Sequence, residues 1–348
     1  MTPVSLERQR PYPYRVTTMA AKHFPILFIT ASRIGDAVLA SGLIRTLVDQ
    51  IPGARFTIVA SELTAPLFAQ IPGLEAIITM QKRPMGIHWL ELWRRVHGRH
   101  WGLVVDLRGS ALASVLRPVR RAVHAKGPAG EHKVVEAARL LKLEDQPPSP
   151  FLFTSDEIEA RADRLTAGES PILAIAPAAN WVGKTWPSER YAMVARMLLG
   201  PGGPMDGGRL MVLGGPDDQV AAAAVKAAVP RYRCIDLVGH EDLLVSFACL
   251  KRARLFIGAD SGLMHMAAAA GAPTLGLFGP SDETHYRPWG TDCRTVRGAR
   301  TYSEIKALDP YLDQAICHMM ELSASTVLTA ARSLIADTQL EAANVRNL

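Results

Sequence analysis

One stretch of the chain has residue types and spacing suited to chemistry on a phosphorylated ligand: Gly258–Asp282, GADSGLMHMAAAAGAPTLGLFGPSD. Asp260 and Ser261 stand where either can cap a helix, and the first free N–H groups of that helix, at Gly262 and Leu263, form a site for an anion such as a phosphate. Gly262 removes the side chain that would hold a diphosphate away from that backbone. His265 follows four residues after Ser261, at a position that serves packing or a ligand. A second turn, Gly279-Pro280-Ser281-Asp282, again joins glycine to an acid, and two such loops opening on one edge point to a ligand site. Outside this stretch, Asp36 is a carboxylate at a helix start, a general base or a cap. Lys184 lies in a loop with Trp181 and Trp186 and can bring a mobile cation, while Asp217 and Asp218 follow the Gly214-Gly215 turn.

These residues need strands and helices in alternation to hold them. Leu255-Phe256-Ile257 is a buried-strand run feeding the Asp260 turn; a small-residue helix reads over 263–270, and Gly271-Ala272-Pro273 stops it. Thr274 to Phe278 is the next strand. Ile26 to Thr30 likewise feeds Arg33-Ile34-Gly35-Asp36, and a helix follows with Leu39, Leu43 and Leu47 on one stripe. Further strands read at 56–60, 76–79, 102–107, 172–176 and 210–213, with helices between them. The class is α/β: two Rossmann-like, doubly wound parallel sheets facing across a cleft lined by loops at the strands' carboxyl ends. The expected division is a loose tail over 1–20, a first domain over 21–165, a second over 166–322, and a last helix within 323–348 packing back toward the first. The hinge is expected between 146 and 171, around the proline-rich Gln146–Pro150.

With 348 residues and 48% hydrophobic content, the chain can bury a large core. No apolar run reaches the length of a membrane span, and residues 1–20 lack the apolar centre of a signal peptide, so a cytoplasmic protein is expected. Cys234, Cys249, Cys293 and Cys317 form no CxxC pair and read as reduced thiols. No Asp-x-Asp occurs, and no metal or cofactor is expected. The net charge of +6 is uneven: residues 81–142 hold 13 Lys or Arg against four acids, which suits an anionic partner. Nucleic acid is not expected, because no aromatic-interleaved strand or recognition motif accompanies the charge. The Ala31–Gly35 turn lacks the GxGxxG of dinucleotide oxidoreductases.

Three motifs together resemble the heptosyltransferase family of GT-B glycosyltransferases: Arg33-Ile34-Gly35-Asp36-Ala37-Val38, the loop from Pro177 to Pro187 with Lys184 ahead of Trp186, and Asp260-Ser261-Gly262-Leu263-x-His265 followed by Gly279–Asp282. The resemblance spans residues 25–335. It implies an inverting, metal-independent enzyme that moves a heptose from an ADP-sugar donor to an anionic, lipid-linked saccharide of the Kdo–lipid A type. It implies work at the cytoplasmic face of the inner membrane, as a peripheral protein. It favours Asp36 as base, and places the donor on Lys184, Asp217 or Asp218, Asp260, Ser261, Gly262, Leu263, His265, Gly279 and Pro280. The basic segment then falls in the acceptor half, with Arg33, Arg108, Arg120 and Arg121 as acceptor contacts. Asp260 is expected to meet sugar hydroxyls, since its charge should avoid phosphates. A transferase or epimerase for another sugar nucleotide, and a non-catalytic nucleotide-sugar or polyanion binder, are the rival readings.

Overall fold

Two parallel sheets carry the chain in the computed structural model, which describes residues 23–346 apart from residue 126. The tail expected over 1–20 lies outside the described residues. The first sheet contains β1 (Phe24–Ile29), β2 (Ala54–Ala60), β3 (Leu74–Thr79), β4 (Leu103–Asp106) and β5 (Arg120–Val123), in the order β3-β2-β1-β4-β5. The second contains β6 (Ile172–Ala176), β7 (Arg209–Val212), β8 (Cys234–Asp236), β9 (Leu255–Ala259), β10 (Thr274–Phe278) and β11 (Cys293–Arg297), in the order β11-β10-β9-β6-β7-β8. The central strands are apolar throughout because helices cover both faces: Ile26–Ile29 and Leu255–Ile257 are at most 1% exposed.

Each order reverses direction once. In the first sheet the chain switches between β1 and β4, in the second between β6 and β9. At such a point the loops leaving the two strands part to opposite faces and leave a crevice at the carboxyl edge. The loops concerned are Thr30–Arg33 and Leu107–Arg108 in one sheet, and 177–187 and Asp260–Ser261 in the other. Arg33–Asp36, the 177–187 loop and Asp260–His265 therefore sit at switch points, with Gly279–Asp282 one strand away after β10.

The two units meet directly. The Ile34–Leu39 helix packs against the Gly262–Ala269 helix, and one cluster of buried apolar residues runs from Ile26, Phe28 and Phe56 to Ala174, Phe256 and Met264. Two glycines permit this approach. A Cβ on Gly262 would lie 2.5 Å from Ile34 Cγ2, and one on Gly35 would lie 3.0 Å from His265 Cδ2. Gly262 thus makes room here for Ile34 of the other unit, a different use from the close phosphate approach expected of it. We expect Gly262→Ala to cost about 1–3 kcal/mol by overpacking, read as a lower denaturant midpoint; an unchanged midpoint would mean that the units stand apart in solution.

Two helices pack elsewhere than expected. The linker stays with the first unit, where Phe151 N–H donates to Ser41 Oγ at 2.9 Å and Arg45 lies over the Phe151 ring. The Asp156–Thr166 helix, assigned by sequence to the first unit, packs instead on the Leu243–Leu250 helix of the second. Charge pairing explains the placement: Glu159 meets Lys251 at 2.6 Å and Arg252 at 3.1 Å, Asp163 meets Arg252 at 2.5 Å, and Arg161 pairs with Glu241. The last helix, Ala324–Arg346, was expected to return to the first unit, but it packs on the Ser188–Leu199 helix, β10 and β11. Its buried stripe, Val327, Ala331, Leu334 and Ile335, is already covered by the second unit, and Arg254 fastens it through Thr338 Oγ1 (2.7 Å) and the Ile335 carbonyl (2.8 Å).

Candidate functional site

At the second sheet's switch point, β9 delivers Asp260 into a buried position, 6% exposed. Lys184 Nζ reaches its Oδ2 at 2.6 Å, Ser281 Oγ donates to the same oxygen at 2.7 Å, and His265 Nε2 stands 3.4 Å from Oδ1. Burial works to raise the carboxyl's pKa, but the His265 hydrogen bond and the Lys184 charge outweigh it and hold Asp260 below the usual carboxylate range. The expected role of Asp260 as a cap is therefore not what the structure has. Ser261 takes the N-cap position, yet its side chain makes no capping bond. Its Oγ and the Nδ1 of His265 are buried without a hydrogen-bond partner. Two unsatisfied polar atoms at the head of the Gly262–Ala269 helix, beside the N–H groups of its first turn, suit a polar or anionic ligand.

At the first sheet's switch point lies a cavity of about 330 Å³, walled by Ser32, Arg33, Asp36, Arg108, His124, Lys133, Glu136 and Tyr286 among others. Asp36 belongs to the first turn of the Ile34–Leu39 helix, whose N-cap residue is Arg33. Burial raises its pKa above the ordinary carboxylate value, with Asp260 adding to the rise, while His265, Arg33 and Lys133 pull it down. Arg108 is held by its Nε, which donates to the Thr30 carbonyl at 2.8 Å, and one of its terminal nitrogens is buried with no partner. Buried Asp106 fixes the turn that presents Arg108 by accepting from the backbone N–H groups of Arg108 and Ser110, both at 2.9 Å. On the far wall Glu136 joins Lys133 (2.6 Å) to His124 (3.3 Å). Tyr286 comes from the second unit, and burial together with the charges of Asp36 and Asp260 pushes its phenol up to about 12, so it stays a hydrogen-bond donor at neutral pH.

The sequence-derived residues separate into those brought together and those left apart. Asp36, Arg33 and Arg108 share the cavity, and Lys184, Asp260, Ser261 and His265 share the other cluster. Leu263 packs against the shared apolar core, and Pro280 is buried. Gly279 faces Met319, which a Cβ would strike, and its carbonyl accepts from Arg297 at 2.9 Å. Asp218 is occupied by the Gly215 N–H at 2.7 Å, which leaves the exposed Asp217 as the freer carboxylate of the two. Arg120 and Arg121 do not line the cavity. They start β5, with Arg120 beside Leu103, whereas Val123 beside Asp106 marks the carboxyl edge; Arg120 is three residues, about 10 Å, short of it.

Ser281, His124, Lys133, Glu136 and Tyr286 were not singled out from sequence. Ser281 lies within the Gly279–Asp282 turn, and its partner is the buried carboxylate of Asp260. Lys133 and Glu136 form an i,i+3 pair at a helix start, a signal readable once β5 is placed. Nothing local marks Tyr286.

Next to the cavity-lining Lys133 and Tyr286, a clasp joins the two units. His132 Nε2 bonds the Arg287 carbonyl at 2.9 Å, His285 Nδ1 meets the Glu131 carbonyl at 2.6 Å, and the His132 ring lies 4.9 Å from that of Trp289. His132 Nδ1 also accepts from Val134 N–H, so the ring is held neutral, and burial pulls its pKa down from 6.5 to about 4. The unfolded chain therefore protonates first on acidification. The contribution is complete above about pH 6.5 and is lost toward pH 4, with an upper bound of roughly 3 kcal/mol. We expect the denaturant midpoint to fall across that window and the fall to shrink in His132→Gln; identical profiles would remove His132 as its cause.

Residues 107–312 match glycosyltransferase family 9 (heptosyltransferase). The chain belongs to this family. Among its relatives, lipooligosaccharide heptosyltransferase 2 of Haemophilus ducreyi is 27% identical over 314 residues, covering 78% of this chain and 88% of that protein. The structure of Escherichia coli ADP-heptose LPS heptosyltransferase II superposes with a TM-score of 0.68 at 20% identity, over 91% of this chain and all of that one. A family 9 glycosyltransferase of Veillonella parvula gives 0.72 at 18% identity, over 90% and 97%. The fold of this family 9 enzyme is accordingly GT-B. Among the described residues of the glycosyltransferase, no helix is long and apolar enough to cross a membrane, and no group of three His, Cys, Asp or Glu could hold a metal ion.

Proposed function

We propose that this family 9 glycosyltransferase transfers a heptose from ADP-heptose to the inner-core saccharide of lipopolysaccharide, with inversion, without a metal, and as a peripheral protein at the cytoplasmic face of the inner membrane. The observation that carries this reading is the meeting of the two switch points: Gly35 leaves room for His265, Gly262 leaves room for Ile34, and Tyr286 joins the wall that holds Asp36. A donor on the second unit would then present its anomeric carbon toward a base on the first. The names of the matched relatives, which specify heptose and lipooligosaccharide or lipopolysaccharide, support the substrate class.

In this scheme Asp36 takes the proton of the attacking hydroxyl. Lys184 and the N–H groups at Gly262 and Leu263 stabilise the leaving diphosphate. Asp260 meets a sugar hydroxyl and Asp217 the ribose. Arg33, Arg108 and Lys133 receive the acceptor's phosphate or carboxylate groups, and the acceptor thus lies on the first unit. Incubation with ADP-heptose and a panel of truncated core lipids, followed by product masses, tests the reading. We expect a gain of one heptose on one acceptor, undiminished by EDTA and with the anomeric configuration inverted by NMR. Transfer from another sugar nucleotide alone would overturn the donor assignment, and activity lost with EDTA and restored by a divalent ion would overturn the metal-free scheme.

A further inference from the structure

The chain leaving β3 ends in an apolar tip that the interior does not use. Met85 is 94% exposed and has a left-handed backbone, φ 53°, an arrangement that neither packing nor local geometry favours. Ile87 (42% exposed) and Leu90 (47%) follow one turn apart on the outer face of the Ile87–Val96 helix. The inner face of that helix supplies Leu92 and Val96 to a core shared with Leu112, Ala113 and Leu116, so the next helix, Leu112–Val115, belongs to the same outer layer. Beyond it Val119 is 81% exposed.

Charge surrounds these residues. From 81 to 121 there are nine Lys or Arg against two acids. One of those acids, Asp106, is fully buried, and the other, Glu91, is paired with Arg83 at 3.0 Å. Arg94 and Arg95 are exposed at the carboxyl end of the Ile87–Val96 helix. Exposed apolar side chains with the exposed cations Arg94 and Arg95 on the same helix match a layer with anionic headgroups over hydrocarbon, and a nucleic acid would leave the apolar residues unused.

Position agrees with the partner. The strands are parallel, so the loop after β3 emerges at the same edge as the cavity loops after β1 and β4, two strands or about 10 Å from β1. We infer that the surface formed by Met85, Ile87, Leu90, Arg94 and Arg95 docks the enzyme on an anionic lipid bilayer, with the tip entering the headgroup layer and the cavity mouth held beside it. This rests on the reading that the acceptor is lipid-linked: such an acceptor keeps its acyl chains in the bilayer, and the enzyme must come to it.

The test uses the full chain and sucrose-loaded vesicles of phosphatidylglycerol and phosphatidylethanolamine, with phosphatidylcholine vesicles as control. Wild type should co-sediment with the anionic vesicles, less so as salt rises, and not with the neutral ones. Met85→Asp with Leu90→Asp should lower partitioning about tenfold or more. Arg94→Glu with Arg95→Glu should lower it similarly and flatten the salt dependence. Both variants should transfer normally to a deacylated, water-soluble core saccharide and poorly to the same acceptor embedded in vesicles. No binding by wild type, or binding unchanged in the Met85/Leu90 variant, would overturn the inference. So would loss of a dimer in that variant, seen by sedimentation velocity, with vesicle binding intact. Wild type that fails on the deacylated acceptor would instead count against the heptosyl-transfer reading, and the vesicle result would stand apart from it.

Discussion

Replacing Asp36 by Asn should leave a folded protein that binds donor nearly as well as wild type and turns over roughly 10²–10⁴ times more slowly. Asn keeps the size of the side chain and removes its basicity together with its charge. The structure sharpens this expectation, because the N-cap position belongs to Arg33 and the helix has no side-chain capping bond to lose. What remains of a structural role is the interaction of one charge with the helix dipole, worth about 0.3–1 kcal/mol at most sites. The thermal midpoint should therefore move little while the rate collapses. A pH profile gives a second reading. Burial raises the pKa of Asp36 above its reference of 3.8, so the active carboxylate form is lost on acidification earlier than an exposed aspartate would lose it. The acid limb of kcat/KM should lie above 3.8 in wild type and be absent from the residual activity of the variant. Near-normal turnover in Asp36→Asn would leave the base unassigned.

Lys184→Ala should weaken binding of a non-transferable ADP-sugar by one to two decades, the loss of a charge-assisted contact of about 1.5–3 kcal/mol. In the ligand-free protein the ammonium is committed to Asp260 at 2.6 Å, and it must be shared with or passed to the diphosphate when the donor enters. The substitution thus has a second effect: Asp260, 6% exposed, keeps only Ser281 and His265 as partners, and stability should fall as well. Lys184→Arg separates the two effects, since it retains the charge while changing its geometry. Titration calorimetry with unchanged affinity in Lys184→Ala would confine Lys184 to holding Asp260.

Much of this was legible in the residues, for a physical reason: a doubly wound sheet writes its site into the few positions after its apolar runs. Ile26–Thr30 pointed to Asp36, and Leu255–Ile257 to Asp260, because a strand buried on both faces admits little but aliphatic residues and its end is conspicuous. Lys184 was visible for the opposite reason, as a cation among tryptophans. The remainder depended on pairing across distance. Whether the last helix covers one unit or the other is decided by which partner meets Val327 and Leu334, and the stripe is the same in either case. Charge and the family resemblance point to Arg120 and Arg121 as site residues, whereas two or three residues along a strand decide whether a side chain reaches the edge. Tyr286 enters the cavity only because the units close on each other through Gly35 and Gly262.

The occupancy of Asp260 limits how a ligand can be recognised there. A carboxylate offers about four lone-pair positions. Oδ2 already receives Lys184 and Ser281, and Oδ1 faces His265. One acceptor position is left, on Oδ1. While Lys184 stays in place, a sugar entering this switch point is read through a single hydroxyl, with no bidentate grip on a vicinal diol. In the proposed scheme, discrimination at Asp260 then falls on one stereocentre, and the neighbouring hydroxyls are told apart by other residues.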